Sequence, residues 1–139
     1  MPIRPATSRD GPAISRLLAQ LEYPGTEKFI ETQLEAMLQS PAEVLLVWDE
    51  PPIVGFLSLH YFPMIGVGSD FAQISYLVVD DQARSEGLGR QLEETVTHLA
   101  RERGCDRIVV HCNSHRTRAH DFYHRQGYIE SPNYLIKKL

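Results

Sequence analysis

The chain has 139 residues, 42% of them hydrophobic, and this length and composition predict one domain, residues 1–139, with a substantial core. Its 14 basic and 18 acidic side chains give a formal net charge of −4, which argues against nucleic acid as a partner. No apolar run approaches the roughly 18 residues of a membrane helix, and the amino terminus lacks the apolar core of a signal peptide, so we expect a cytoplasmic protein with no membrane partner.

The first third of the chain predicts one short strand followed by two amphipathic helices. Ile3–Ala6 is expected to form an edge strand, and Thr7 or Ser8 would cap a helix that carries Pro12 in its first turn. Thr26 would cap the second helix. The apolar positions recur at helical spacing in both helices, at Ile14, Leu17, Leu18 and Leu21, and at Phe29, Ile30, Leu34, Met37 and Leu38.

The middle of the chain changes to the pattern of β-strands. Val44–Trp48 and Ile53–Phe62 predict a hairpin, and Phe71–Val79 predicts a third long strand. Pro63–Asp70 contains two glycines and is expected to be one long flexible loop. An amphipathic helix from Gly87 to Gly104 follows the third strand.

The last third of the chain predicts a strand, a short helix and a closing strand pair. The strand is Arg107–His111, the helix is Thr117–Gln126, and the pair is Tyr128–Ile129 with Tyr134–Ile136. Strands that pair first in hairpins and later across a helix predict an α/β fold. Its mixed sheet would be mostly antiparallel, with one parallel strand pair and helices on both faces.

Six residues, Arg84-Ser85-Glu86-Gly87-Leu88-Gly89, join the third long strand to the amphipathic helix. A helix that begins at glycines presents unpaired N–H groups and a partial positive charge, so it can hold an anion. The turn lacks the third glycine of a dinucleotide fingerprint and the Gly-Lys-Ser/Thr of a nucleotide-binding P-loop. Spacing alone leaves anion binding and a merely tight turn as alternatives, and Arg84 and Arg90 favour a diphosphate.

Histidines near the carboxyl terminus raise a metal site as a further alternative. His120 and His124 are four residues apart on a helix, a spacing that can chelate zinc. However, Asp121 stands where a metalloprotease helix needs Glu, and no third ligand is positioned by spacing. Cys105 and Cys112 fit no Cys-x-x-Cys pattern. We therefore expect neither a metal nor a disulfide.

In this order the elements and motifs resemble the GNAT superfamily of acyl-CoA-dependent N-acyltransferases. The six-residue turn matches its signature Gln/Arg-x-x-Gly-x-Gly/Ala, and Leu77-Val78-Val79 precedes the turn as the family's central strand does. Asn113 through Phe122-Tyr123 to Gly127-Tyr128 matches a later family motif. The resemblance implies that the parallel strand pair splays apart and admits acetyl-CoA, the co-substrate, into the gap. Since family members often dimerise, it also leaves a homodimer open.

The resemblance carries family roles onto matching residues. Leu77 N–H, or a neighbouring amide, would polarise the thioester carbonyl. Asn113 would hydrogen-bond the pantetheine, and Tyr123 would protonate the departing thiolate. A phenol, with an ordinary pKa of about 10, can give that proton at neutral pH. The expected coenzyme-binding residues are Leu77, Val78, Val79, Arg84, Ser85, Glu86, Gly87, Leu88, Gly89, Arg90, Asn113, Phe122 and Tyr123.

The general base is where the sequence departs from the family pattern. Presenting an alkyl ammonium as the free amine at pH 7 costs about 4.6 kcal/mol, so a group must accept its proton. Several family members use a Glu early on the central strand, but the matching residue here is Gln73. His60 is the leading substitute because an imidazole accepts protons near neutral pH. Asp80, a water chain and a purely surface role for His60 stay open.

The residues and the resemblance together predict an enzyme, an N-acetyltransferase. It would move the acetyl group of acetyl-CoA to a primary amine of a small molecule or peptide by direct attack. The alternative is a catalytically silent acyl-CoA-binding sensor or interaction module, and Gln73 is its support. The negative net charge suits a cationic amine but does not identify the acceptor.

Overall fold

The computed structural model describes residues 2–84, 86–131 and 134–139. The chain divides after Val109 into two compact units, which are described separately below. Among the described helices, even the longest, α3, lacks the length and apolar character that crossing a membrane requires. The elements are β1 (Ile3–Pro5), α1 (Gly11–Gln20), α2 (Ile30–Leu38), β2 (Glu43–Asp49), β3 (Ile53–Met64), β4 (Ser69–Val79), α3 (Leu88–Glu102), β5 (Arg107–Val110) and α4 (Thr117–Arg125).

The described strands form one sheet in the order β1-β2-β3-β4-β5. Neighbours from β1 to β4 are antiparallel, whereas β5 lies parallel to β4 because α3 connects them. The predicted mixed, mostly antiparallel sheet with one parallel pair is therefore confirmed.

Helices of the first unit cover both faces of this sheet, as predicted. One face, called the α1/α2 face, packs Val47, Phe56 and Val78 against buried residues of α1 and α2. The opposite face, called the α3 face, packs against Leu92 of α3, which is fully buried. A Cβ at Gly55 would lie 3.3 Å from Leu92 Cδ1, so glycine lets the helix approach the strand closely.

A β-bulge at Ser75 divides β4. Ser58 of β3 lies opposite Tyr76, but the next residue, Leu59, lies opposite Ile74, so Ser75 is an extra residue. Side chains before and after the bulge therefore alternate out of phase along β4. As a consequence, Gln73 comes to lie opposite His60.

The prediction of a long flexible loop at Pro63–Asp70 is wrong. The two strands continue through it, because Pro63 pairs with Asp70 and Met64 with Ser69. Only residues 65–68 remain as a turn, which is closed by hydrogen bonds from the N–H groups of Val67 and Gly68 to the Met64 carbonyl. The glycines serve this tight turn, in which Gly68 has a φ of +81°.

The prediction that Thr7 caps the first helix is confirmed, and Pro12 lies in the first turn of α1. Thr7 is the N-cap of a 3₁₀ turn, Ser8–Asp10, that leads directly into α1, and its N–H donates to the Asp10 carboxylate at 2.8 Å as in a capping box. The predicted cap of the second helix is wrong. The hydroxyl of Thr26 donates to Ser15 Oγ at 2.8 Å, and the N-cap of α2 is Phe29. Both hydroxyl-bearing residues of this hydrogen bond are buried, so Thr26 satisfies a polar group of α1 instead of a helix end.

The predicted closing strand pair is also wrong for the residues that are described. Residues 128–131 and 134–139 contain no strand, and the intended connection at Pro132 and Asn133 lies outside the described residues. Ile129 is 89% exposed and Leu135 is 90% exposed. An alternating apolar pattern favours a strand only where one face is buried, and these side chains bury little.

Arg4 connects β1 to the start of α1. Its Nη1 and Nη2 each donate to an oxygen of Asp10 at 2.9 Å, and its Nε donates to Asp49 at 3.1 Å. Asp10 is buried and also accepts the N–H of Thr7 at 2.8 Å. The hydrogen bond from Arg4 is the main reason that the pKa of Asp10 lies below its ordinary value.

This lowered pKa predicts how Asp10→Asn responds to pH. The folded state binds a proton at Asp10 less readily than the unfolded chain, so the carboxylate stabilises the protein above its ordinary pKa and loses that effect as pH falls through the folded pKa. Asp10→Asn should lower the unfolding free energy at pH 7, and its difference from wild type should shrink below about pH 4.

Urea unfolding across this pH range measures the difference. Arg4→Ala removes the donor and should converge with wild type in the same way. A gap between wild type and Asp10→Asn that stays constant with pH would contradict the role assigned to Arg4.

Candidate functional site

The second half of β4 directs backbone groups away from β3. The N–H of Asp80 donates to the Val54 carbonyl at 2.8 Å, so these two residues form a hydrogen-bonded pair. Because such pairs alternate along an antiparallel ladder, the N–H and C=O of Val79 and Leu77 point to the other edge of β4. The Val79 carbonyl accordingly accepts a hydrogen bond from Arg84 Nε at 3.2 Å.

On that edge β5 runs beside the first half of β4 only. The N–H of Asp106 donates to the Asp70 carbonyl at 2.9 Å, which sets the start of β5 beside the start of β4. The described strand β5 ends at Val110, so with equal rise per residue it reaches only to about Ile74. The edge at Leu77 therefore extends beyond β5.

The residues after β4 are held in place by α1. Arg16 forms an ion pair with Asp80, and Gln20 accepts the N–H of Asp81 at 2.9 Å. The Gln82 N–H donates to Asp80 at 3.0 Å and is the main cause of the lowered pKa of Asp80. A carboxylate with a lowered pKa is a weaker base, which disfavours Asp80 as the proton acceptor.

The start of α3 is suited to an anion. Gly87 is the N-cap with a φ of +78°, and a Cβ at this position would meet no described atom within 4 Å. The first intrahelical bond of the 5→1 type runs from the Gln91 N–H to the Gly87 carbonyl at 3.2 Å. The N–H groups of Leu88, Gly89 and Arg90 precede this bond and belong to the first turn, where backbone donors bind anions.

The two arginines that flank the glycines are engaged within the chain. Arg84 contacts Asp81 at 2.8 Å, and Arg90 contacts Glu94 at 3.0 Å while remaining exposed. Their charges are partly compensated, so an anion at this turn would depend mainly on the backbone amides. Of the other predicted turn residues, Leu88 is buried, Glu86 is exposed and Ser85 lies outside the described residues.

His60 belongs to a row of side chains that crosses three strands, with Glu43 on β2 and Gln73 on β4 directly opposite it. The N–H of Tyr61 donates to the Ala42 carbonyl at 2.8 Å, which makes Glu43 and His60 a non-hydrogen-bonded pair. Side chains approach most closely in such pairs. His60 Nδ1 accordingly lies 2.6 Å from Glu43 Oε1.

Glu43 was missed in the sequence-based assignment of site residues. Its signal is positional: Glu43 directly precedes the predicted strand Val44–Trp48, and the hairpin register carries it to His60. Pairing partners on different strands do not show as a local motif, which is why the residue has no pattern of its own.

The second unit carries the remaining predicted site residues. Tyr123 on α4 is buried, and its ring contacts Phe122 and Tyr128 edge-to-face with centroids 5.1 and 5.2 Å apart. The Tyr128 N–H also donates to the Tyr123 carbonyl at 3.0 Å. Asn113 is exposed, and its main-chain carbonyl oxygen lies 2.9 Å from His120 Nε2.

His120, His124 and the two cysteines were the residues considered for a metal site or a disulfide. The rings of His120 and His124 have centroids 6.3 Å apart, and His124 Nε2 lies 4.0 Å from Glu130. Across residues 2–84, 86–131 and 134–139, no cluster of three or more His, Cys, Asp or Glu side chains is placed to hold a metal. Cys105 and Cys112 are free thiols, and burial raises the pKa of both, which makes each a poorer nucleophile.

Comparison with protein families gives one decisive match: the acetyltransferase (GNAT) family matches residues 13–128. The chain belongs to this family. GNAT proteins use acetyl-CoA as their co-substrate. The matched residues include the strand edge at Leu77, the glycine turn before α3 and all of α4.

Individual relatives are consistent with the GNAT assignment. An aminoalkylphosphonate N-acetyltransferase of Salmonella typhimurium is 27% identical over 142 residues, which cover 99% of this chain and 90% of the relative. A transcriptional regulator from Bacillus halodurans superposes with a TM-score of 0.89 at 26% identity, covering 99% and 98% of the two chains. Glucosamine-6-phosphate N-acetyltransferase of Arabidopsis thaliana shares the fold, with a TM-score of 0.83 at 21% identity and coverage of 98% and 96%.

The open backbone at Gly87 generates a prediction for acetyl-CoA binding. Gly87→Ala places a methyl group where a ligand bound by the first turn of α3 would approach, and it strains a left-handed conformation. The dissociation constant for acetyl-CoA, measured by calorimetry, should rise by about tenfold, or about 1.4 kcal/mol.

Gly104 is the matched control because it has a φ of +76° beyond the opposite end of α3. Each of the two substitutions should lower the free energy of unfolding by about 1–2 kcal/mol through backbone strain. Gly104→Ala should leave the dissociation constant for acetyl-CoA unchanged. Equal effects of the two substitutions on binding would show that strain, not ligand contact, is responsible.

Proposed function

We propose that this GNAT protein transfers the acetyl group of acetyl-CoA to a primary amine of a small molecule or peptide by direct attack. The observation that carries the proposal is the backbone of the first unit. A strand edge at Leu77 and Val79 points away from β3, and it leads into a glycine turn that opens a long helix.

These backbone groups fit two parts of a coenzyme A molecule, its pantetheine arm and its pyrophosphate. The pantetheine arm adds to the edge of β4 at Leu77 and Val79, as an extra strand would, by main-chain hydrogen bonds. The pyrophosphate binds the N–H groups of the turn and of the first turn of α3, with Gly87 and Gly89 allowing close approach. Val78 lies between the two outward-pointing residues and is buried.

The chemistry requires an oxyanion donor, an acid and a base. The amine nitrogen attacks the thioester carbon, and the Leu77 N–H stabilises the negative charge that develops on the carbonyl oxygen. When the C–S bond breaks, Tyr123 gives its phenolic proton to the thiolate. Asn113 and Phe122 hold the pantetheine, and His60 accepts the proton that the substrate ammonium must lose.

Direct attack, without an acyl-enzyme intermediate, agrees with the raised pKa of the two cysteine thiols. Burial raises the pKa of Cys105 and Cys112, so little of either is the reactive thiolate at neutral pH. An amine freed of its proton is then the available nucleophile.

A catalytically silent acyl-CoA sensor is the second candidate. Gln73 occupies the position where several family members carry a catalytic Glu, and an amide cannot accept a proton as a base. The Bacillus halodurans relative, which has the same fold, is a transcriptional regulator by name.

The expected result that separates the two candidates is amine-dependent release of coenzyme A. Purified protein is mixed with acetyl-CoA and with polyamines, aminoglycosides, amino acids or peptide amines, and free thiol is followed over time. Aminoalkylphosphonates join the panel because a relative acts on them by name. Tight binding of acetyl-CoA without release by any amine would favour the sensor and contradict the enzyme.

We propose the cytoplasm as the location and a homodimer as the assembly to be tested. The location is the one expected from the sequence, and the dimer is expected because members of the family often dimerise. Light scattering on the purified protein measures its mass, and a monomer at all concentrations would contradict the dimer.

Tyr123→Phe tests the acid. Removing the hydroxyl while keeping the ring should slow acetyl transfer by about 10²-fold or more, because no group then protonates the thiolate. The dissociation constant for acetyl-CoA should stay near that of wild type.

Tyr134→Phe is the control, since Tyr134 is exposed and in the same unit. This variant should keep the wild-type rate. Unchanged turnover in Tyr123→Phe would remove this residue from the mechanism.

A further inference from the structure

The Glu43–His60 pair differs from an ordinary surface ion pair. The Glu43 side chain is 15% exposed and the His60 side chain is 38% exposed, so the carboxylate is mostly covered while solvent reaches the ring. Glu43 Oε2 and His60 Nδ1 are both buried and have no hydrogen bond of standard geometry among the described residues, although Nδ1 lies 2.6 Å from Glu43 Oε1. Burying a carboxylate with an unsatisfied oxygen costs free energy, so a structural role alone is a poor explanation for Glu43.

The contact favours one of the two neutral tautomers of the ring. An unprotonated Nδ1 would place its lone pair 2.6 Å from a carboxylate oxygen, whereas a protonated Nδ1 can donate to that oxygen after a small rotation of either side chain, so the tautomer with its proton on Nδ1 is favoured. The lone pair of Nε2 is then available to accept a proton. A base whose second nitrogen is fixed by a carboxylate has the arrangement that general-base catalysis uses on other folds.

We propose that Glu43 is a positioning residue for His60, and that the pair replaces the carboxylate base that Gln73 cannot supply. The inference rests on the proposed function. Glu43 fixes the tautomer of His60 and stabilises the imidazolium that forms. The base has thereby moved from β4 to the neighbouring position on β3, within the same row across the sheet.

The separation from the thioester site requires water between amine and base. Leu57 lies opposite Leu77, and His60 is three residues further along β3, which corresponds to about 10 Å along the strand. Because His60 is on β3 and the thioester would lie beyond the far edge of β4, about two strand spacings, or about 10 Å, separate them across the sheet as well. Along β4 the same interval takes four residues, because the bulge adds one. A proton crosses this interval through water, and Gln73 beside His60 can hydrogen-bond that water.

The protons balance over the reaction. The ammonium loses its first proton through water to His60 Nε2, and His60 later releases it to solvent. The nitrogen loses a second proton when the amide forms, and this proton compensates the one that Tyr123 gives to the thiolate. The net products are the acetylated amine, coenzyme A as the thiol and one proton.

Graded substitutions at Glu43 test the proposal. Glu43→Gln keeps an acceptor for the Nδ1 proton but removes the charge, and Glu43→Leu removes both. For the proposed reaction, kcat should fall by about tenfold or more in Glu43→Gln and further in Glu43→Leu, but in neither by more than the 10²–10⁴-fold that a positioned base supplies. The KM for acetyl-CoA should stay within about twofold of wild type in both variants.

The chain offers a matched control on α3. His98 and Glu102 form another His–Glu contact, at 3.1 Å, but both side chains are largely exposed. Glu102→Gln should leave kcat and KM unchanged. In a His60→Ala background, Glu43→Gln should cost nothing further, because it acts only through the imidazole.

Nitrogen NMR of the His60 ring gives a readout that does not depend on turnover. The neutral ring should be protonated on Nδ1 in wild type and in Glu43→Gln, and should lose this preference in Glu43→Leu. A wild-type ring protonated on Nε2 overturns the proposal.

The kinetic outcomes distinguish a failure of the proposed function from a failure of the role of Glu43. A wild-type protein that acetylates no amine contradicts the proposed function and, with it, the role of Glu43 in catalysis. A wild-type protein that acetylates an amine while Glu43→Gln keeps its kcat contradicts the role of Glu43 alone. If Glu43→Gln lowers kcat by the same factor in the wild-type and His60→Ala backgrounds, the role of Glu43 is also overturned.

Discussion

Backbone hydrogen bonding along β4 is the constraint on which the candidate site depends. An antiparallel strand can direct only every second residue towards a given neighbour, and the pair of Asp80 with Val54 fixes that alternation for the end of β4. Leu77 and Val79 then have to present their amides on the edge that faces β5. Since β5 is short and begins level with Asp70, those amides lie past its end. The same alternation in β2 and β3 brings Glu43 to His60.

Packing around the turn keeps this edge and the helix start in a fixed relation within the first unit. Leu92 is buried against Gly55 on the α3 face, which holds the helix close to the middle of the sheet. On the other side, Arg16 connects α1 to Asp80 at the point where β4 ends. Backbone donors placed by such contacts need little reorganisation when a ligand arrives, and preorganisation of this kind is what makes amides effective for anions and oxyanions.

The sequence predicts the elements of the sheet well because apolar periodicity is a local signal. The glycine turn is equally local, and its motif leads directly to the backbone of α3. Features that depend on pairing were missed: Glu43 reaches His60 only through strand register, and the pairing of Pro63 with Asp70 turns an expected loop into strand. Thr26 has the composition of a helix cap but satisfies a buried hydroxyl instead, so local propensity gave way to tertiary contact.

The extra residue at Ser75 gives β4 two segments of opposite parity. Gln73 and Leu77 are both odd-numbered and would share a face in a regular strand, yet their partners His60 and Leu57 lie on opposite faces of β3. One inserted residue therefore separates the polar row on the α1/α2 face from the apolar contacts on the α3 face. If Ser75 were deleted while the end of β4 kept its pairing, every side chain of β4 before the bulge would move to the opposite face of the sheet.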